Sequence, residues 1–290
     1  MATTEVTRKG HAAGSVRKHS IWSSTVARVL LVLGCALFLI PLYWMVVTAL
    51  KSNTELNAVP PSLLPQHWEW VNFRDAVQAF PFWTYFKNSV LITLLTVIGS
   101  VVSNLIVAYG FSCLEWRGRD KVFWLVLGTL FIPFPLAIIP SFDLFARLHW
   151  IDTYLPLVVP HFLGSAFFVF LLRQFLLQIP RDTLDSARID GASEWTILWR
   201  IVTPLARPAI GAVAIFSAVG AWNDFLGPLI YLQDPSKQTL SIGIQAFRSA
   251  NDIQFNQLMA ASVLILLPMV ILFFCFQRYF IRGLSLGSFK

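Results

Sequence analysis

Few residues in this sequence are spaced so that they could do chemistry, and most of them lie in one polar stretch, RQFLLQIPRDTLDSARIDGASEWTILWRIVTPLAR, from Arg173 to Arg207. Pro180 ends the incoming apolar segment. Asp182 then stands as a helix N-cap with Asp185 three residues on, as in a capping box, both acids at the positive end of a helix. Gly191 supplies the residue that tolerates positive φ, and Ser193 caps a second helix carrying Trp195, Leu198, Trp199 and Val202 on one face. Acids, small residues and a turn, with no nucleophile or metal ligand beside them, suit docking rather than catalysis. An amphipathic element resting on a membrane surface has a similar pattern. The first helix, however, has only Leu184, Ala187 and Ile189 as apolar anchors, and Ser186 and Ala187 let another surface approach closely.

A second candidate is Asp224, the one acid embedded in an apolar stretch, between Pro208–Asn223 and Phe225–Gln233. An intramembrane charge is costly and needs a partner or an aqueous cavity, so Trp222, Asn223 and Asp224 form either part of a polar path or a hydrogen bond between helices. His11, His19, His67, His149 and His161 are scattered without metal-ligand spacing. Cys35, Cys113 and Cys275 lie in or beside apolar runs, where a thiol behaves as a small hydrophobe. There is no G-x-S-x-G elbow and no Gly-Lys dipeptide, hence no phosphate-cradling loop of the G-x-x-x-x-G-K-[ST] type.

The elements that position these residues are set by hydrophobicity. Of 290 residues, 56% are hydrophobic and 13% charged, against roughly 45–50% and 25% in soluble domains. Uncharged runs of 22 residues (Val29–Leu50), 27 (Asn88–Leu114), 21 (Val122–Phe142), 20 (Thr153–Leu172), 16 continued by 9 beyond Asp224 (Pro208–Gln233) and 25 (Ile253–Gln277) give six spans. Runs this long without alternation predict helices rather than a barrel, so the fold class is all-α and polytopic. The first run exceeds a signal-peptide core and reads as an uncleaved helix.

Sixteen of the 22 basic residues fall on one side of these spans and six on the other, which puts both termini in the cytoplasm. The net charge of +7 then follows from topology and anionic lipid, with no need for nucleic acid. The domains expected are a cytoplasmic tail (1–25), a first helix (26–50), an external loop (51–84), a five-helix core (85–281) with a surface helix pair at about 181–204, and a C-terminal cytoplasmic tail (282–290). The external loop carries Trp68, Trp70, Phe80, Phe82, Trp83, Tyr85 and Phe86, aromatics that anchor the headgroup layer or meet an external partner. Pro41, Pro133, Pro135, Pro140, Pro228 and Pro268 predict kinks, and Gly99 with Ser103 predicts a close helix contact.

The polar stretch resembles the cytoplasmic motif of the carbohydrate permeases of ATP-binding-cassette (ABC) importers, the six-helix member of the pair in maltose-type systems. That motif is Glu-Ala-Ala, three residues, Gly, nine residues, Ile, one residue, Leu-Pro. Asp185, Ser186, Ala187, Gly191, Ile201 and Pro204 occupy it at this spacing, with Asp for Glu, Ser for Ala, and Thr203 for Leu. Ala221–Phe225, Leu258–Ser262 and Gln277–Leu284 also resemble the subfamily.

The resemblance implies a type I permease fold and a coupling helix, with Asp190 and Ala192 beside the motif residues, that docks in a cleft of a cytoplasmic ATPase. It implies as partners an ATPase dimer that binds ATP and Mg, a second permease forming a heterodimer, an extracytoplasmic solute-binding protein and membrane lipid. Trp222, Asn223 and Asp224 would then lie near the translocation path or the permease interface, and residues 284–290 against the ATPases. The cargo expected is a sugar or oligosaccharide, or alternatively a polyol or glycerol-phosphate-type solute. An autonomous secondary transporter would need several embedded ionisable groups, and an enzyme a cluster of bases or metal ligands.

Overall fold

The computed structural model describes residues 16–247 and 254–285, which form helices joined by turns, without a strand. The expected terminal tails lie outside the described residues up to residue 15 and from residue 286. The helices longer than five residues are α1 (Val16–Ala49), α2 (Val71–Gln78), α3 (Phe82–Ser112), α4 (Arg119–Gly128), α5 (Phe134–Arg147), α6 (Ala166–Leu176), α7 (Arg181–Ile189), α8 (Arg207–Asn223), α9 (Leu226–Tyr231) and α10 (Phe255–Ser285). α1 begins inside the segment expected as a tail, because a helix seeded by an apolar run propagates cheaply into neighbours that do not break it.

Four stretches are long and apolar enough to cross a bilayer: Thr25–Ala49, Phe82–Ser112, Leu155–Leu176 and Phe255–Gln277. Two bent pairs, Arg119–Phe131 with Pro135–Arg147 and Glu194–Leu205 with Arg207–Asn223, bring the number to six. In the second pair the bend is 81°. α8 alone has 17 residues, about 26 Å at 1.5 Å per residue, close to the ~30 Å hydrocarbon thickness. α8 can therefore cross unaided while the polar stretch before it stays at the surface. The fifth run stops at Asn223 rather than continuing to Gln233, because Asp224 takes an extended conformation and α9 starts afresh. Pro41, Pro140 and Pro268 sit inside continuous helices, whereas Pro133 heads α5 at a true break.

α3 is the central helix, packed against α8, α6 and the turns at Leu155–Phe162. Its polar face satisfies backbone groups that broken helices leave free, which hydrocarbon requires. Thr96 donates to the Leu157 carbonyl at 3.4 Å, Ser103 to His161 at 3.0 Å, and the fully buried Asn104 accepts from the Ser165 N–H at 2.7 Å beside the turn at Gly164. Ser217 of α8 meets Ser100 at 3.0 Å. At Gly99 a Cβ would stand 2.5 Å from the Phe162 ring, so only glycine permits this approach, and the expected close contact is present.

One buried cluster gathers at the C-terminal end of α3, with Leu105, Tyr109, Leu172, Leu176, Leu184, Ile197, Leu198 and Val202. Another gathers at its N-terminal end around Phe80, Phe82, Tyr85, Trp222 and Leu240. Phe80, Phe82 and Tyr85, expected as loop aromatics, are therefore core residues, while Trp68, Trp70 and Trp83 remain exposed.

Candidate functional site

α7 is a nine-residue helix beneath the C-terminal end of α3. It begins at Arg181 with Pro180 as its cap and no side-chain cap bond, so Asp182 sits in the first turn rather than at the N-cap. There its carboxylate still faces the positive helix end.

The C-terminus closes as the sequence predicts. Gly191 takes φ +82°, its N–H donates to Arg188 at 3.0 Å, and the Ala192 N–H reaches back to the Ala187 carbonyl at 2.9 Å. This is a Schellman closure, and Ala187 and Ala192 both pack on the cluster at the C-terminal end of α3. Ser193 caps the next turn, accepting from the Thr196 N–H at 3.3 Å.

Leu184 is 4% exposed and Ile189 85%. One apolar residue thus fastens α7 to the membrane domain, and the other projects away from it. Asp182, Asp185, Ser186, Asp190 and Gly191 are exposed beside Ile189. Ser186 donates to the Asp182 carbonyl at 2.6 Å, and Asp190 closes the helix through a backbone bond to Ser186 at 3.0 Å. Ile201 is half-buried on the same cluster, and Pro204 is exposed ahead of α8.

The face expected to hold Trp195, Leu198, Trp199 and Val202 together is split. Residues Ile197–Val202 wind as a π-helix, whose wider turn buries Ile197, Leu198 and Val202 while Trp195 and Trp199 stay exposed.

Sequence reasoning missed the residue at the centre of this region, Arg188, which it counts only among the topological charges. Its guanidinium donates to Asp185 at 2.7 Å, to Glu194 at 2.9 Å and to the Cys113 carbonyl at the end of α3 at 3.1 Å. The other oxygen of Glu194 accepts from the Tyr109 hydroxyl of α3. The Arg188 hydrogen bond holds Glu194 below the usual carboxylate range, and Glu194 in turn raises Arg188. Burial pushes the Cys113 thiol up. The signal available was spacing, with Arg188 three residues after Asp185 and six before Glu194.

Arg181 pairs with Glu115 at 2.7 Å, and a cavity of about 530 Å³ opens between α7 and the α3–α4 turn, lined by Cys113, Glu115, Arg181, Leu184, Asp185 and Arg188.

Trp222, Asn223 and Asp224 lie at the opposite end of α8 and do not meet the α7 set. Trp222 is buried, donating its indole N–H to the Ile265 carbonyl at 3.1 Å and meeting Phe86 edge-on. Asn223 is exposed and donates to the Val219 carbonyl at 2.8 Å. Asp224 is half-buried; its carboxylate accepts from the Gly227 N–H at 3.1 Å and its carbonyl from the Ser241 hydroxyl at 2.6 Å. No group of three or more His, Cys, Asp or Glu suited to a metal occurs among the described residues.

The chain is thus all-helical among the described residues, with several apolar spans and a short, exposed helix closed by a glycine turn. The chain belongs to the family described as the binding-protein-dependent transport system inner membrane component, which it matches over residues 11–286. It is 35% identical over 257 residues to the arabinooligosaccharides transport system permease protein AraQ of Bacillus subtilis, covering 88% of this chain and 91% of the relative. It is 33% identical over 264 residues to the sn-glycerol-3-phosphate transport system permease protein UgpE of Yersinia enterocolitica, covering 88% and 94%. Its fold matches the crystal structure of a bacterial ABC transporter involved in the import of alginate, with TM-score 0.78, 22% identity, and coverage of 94% of this chain and 100% of that one.

The chain is thus an ABC importer permease of type I fold, an inner-membrane component that works with a solute-binding protein. Subunits of this family are not enzymes and hold no cofactor of their own; in ABC importers ATP and Mg belong to the ATPases.

Proposed function

We propose that this permease forms a heterodimer with a second permease, docks α7 on a cytoplasmic ATPase dimer, and translocates a sugar or oligosaccharide delivered by an extracytoplasmic binding protein. The observation that carries the docking assignment is the exposed face of α7, where Asp185, Ser186 and Asp190 surround the projecting Ile189 while Leu184 secures the opposite side. Ile201 and Pro204 fix how the chain turns from this surface into α8. Arginine excess on the α7 side puts both termini in the cytoplasm, with Trp195 and Trp199 at headgroup level. ATP-driven closure of the ATPases would move α7 and rock the spans between two states, a rigid-body transition biased by a ligand of unequal affinity for them.

At the other end of α8, the exposed Asn223 and half-buried Asp224 meet the second permease or the path, whereas the buried indole of Trp222 supports a packing role. The carbohydrate cargo is supported by AraQ, named for arabinooligosaccharides. UgpE, named for sn-glycerol-3-phosphate, favours a second reading in which the same machinery imports a polyol phosphate. Purifying the tagged chain from its native membrane in mild detergent tests the assembly. Recovery of an ATPase and a second permease, with the ATPase lost from Gly191→Pro, supports it; a partner-free, stable wild-type chain refutes it.

A further inference from the structure

We propose that Arg188 is a positioning residue that makes α7 and the cytoplasmic end of α3 move as one body, so that displacement of the docking helix reaches the membrane core through a directional clamp. The proposal rests on reading α7 as the ATPase-docking helix. Leu184 and Ala187 by themselves would hold α7 by apolar contact, which is non-directional and lets a short helix slide or swivel.

Arg188 removes that freedom because its planar fork is shared among three elements: Asp185 on α7 itself, Glu194 at the start of the next helix, and the Cys113 carbonyl that ends α3. Tyr109, one turn back on α3, grips the same Glu194. A guanidinium placed at the C-terminus of α3 also meets carbonyls that have no intrahelical donor, and complements the negative helix end.

Other arginines reinforce this junction. Arg173 of α6 donates to the Phe111 carbonyl at 3.1 Å and pairs with Asp120 at 3.3 Å, and Arg181 of α7 pairs with Glu115. Every one of these bonds ends on residues 111–120, from the last turn of α3 through the link to the first turn of α4. Arg188 differs from Arg181 in exposure, since its side chain is 34% exposed against 68%, and in being shared with both α3 and the following helix. Partly exposed ion pairs contribute little to stability, so the function of the clamp is orientation. A lysine would keep the charge without the three-way fork.

The test uses the importer purified whole, with ATP, Mg and orthovanadate as the probe, and amide hydrogen exchange as the readout. In the wild type, trapping should change exchange both in α7 and at residues 105–113 of α3. In Arg188→Gln and in Tyr109→Phe, with ATPase still bound, the α7 response should persist and the α3 response should be lost, with Arg188→Lys restoring it only in part. An α3 response in both variants equal to that of the wild type overturns the proposal. So does loss of the ATPase from Arg188→Gln when the wild type retains it, because Arg188 would then belong to the docking surface. A wild-type chain that retains no ATPase would instead overturn the docking reading on which the clamp rests.

Discussion

Along α3 the same helix is fastened in two chemically different ways. Within the span its partners are neutral, with Thr96, Ser100, Ser103 and Asn104 meeting backbone groups or another hydroxyl. At its C-terminal end the fasteners are ionised, with Arg173, Arg181 and Arg188 reaching carboxylates and freed carbonyls. Solvent dictates the division, because a charge in hydrocarbon is expensive while a neutral hydroxyl or amide satisfies the backbone at low cost. Breaking the neutral fasteners should therefore reduce stability, whereas breaking the charged ones should uncouple motion while the fold persists.

The largest effects should come from the docking end. Gly191→Pro places a residue fixed near φ −65° where the backbone needs +82°, and uptake should fall to background at equal membrane levels, read by immunoblot and solute uptake. Asp185→Arg sets a like charge against Arg188 in place of their 2.7 Å pair, with the same loss of uptake expected. Retention of wild-type uptake by both variants would refute α7 as the coupling element.

Next in size, Asn104→Ala leaves the half-buried Ser165 N–H without its acceptor. It should cost about 1–2 kcal/mol, seen as a lower unfolding midpoint in detergent titration with the ATPase still bound.

The smallest effect belongs to a clasp between loops, where Lys237 meets Asp152 at 2.7 Å and Asp152 also accepts from the Gln233 and Asp234 N–H groups. Hydrogen bonding, Lys237 first, holds Asp152 below its usual value, and Asp152 raises Lys237 above 10.5. The depressed acid contributes above its unfolded pKa and loses that contribution as pH falls through the folded value. The raised base loses its contribution only as pH rises through its own. The difference in thermal midpoint between wild type and Lys237→Gln should thus be flat from roughly pH 5 to 9 and vanish in acid. A difference that persists unchanged in acid would rule out the ion pair as its source.

Much of this architecture was readable from charge-free runs, because hydrocarbon leaves a chain few choices. Val29–Leu50 and Asn88–Leu114 end within two residues of α1 and α3, although both helices start earlier, at Val16 and Phe82. The Gly191 turn was readable too, since so few residues accept its backbone. The π-wound Ile197–Val202 was not, because helical periodicity presumes 3.6 residues per turn, and its failure separates Trp195 and Trp199 from Leu198 and Val202. Nor was the Arg188 clamp, because Cys113 lies 75 residues from Arg188 and Tyr109 lies 85 from Glu194, and these pairs meet only through packing of α7 under α3.

The most direct measurement of the central claim is site-specific photocrosslinking in intact cells, with the probe at Ile189 and, as control, at the buried Leu184. Crosslinking from Ile189 to an ATPase subunit, with none from Leu184, is the predicted result. Crosslinking from Ile189 only to lipid or to this chain itself would contradict α7 as the docking helix.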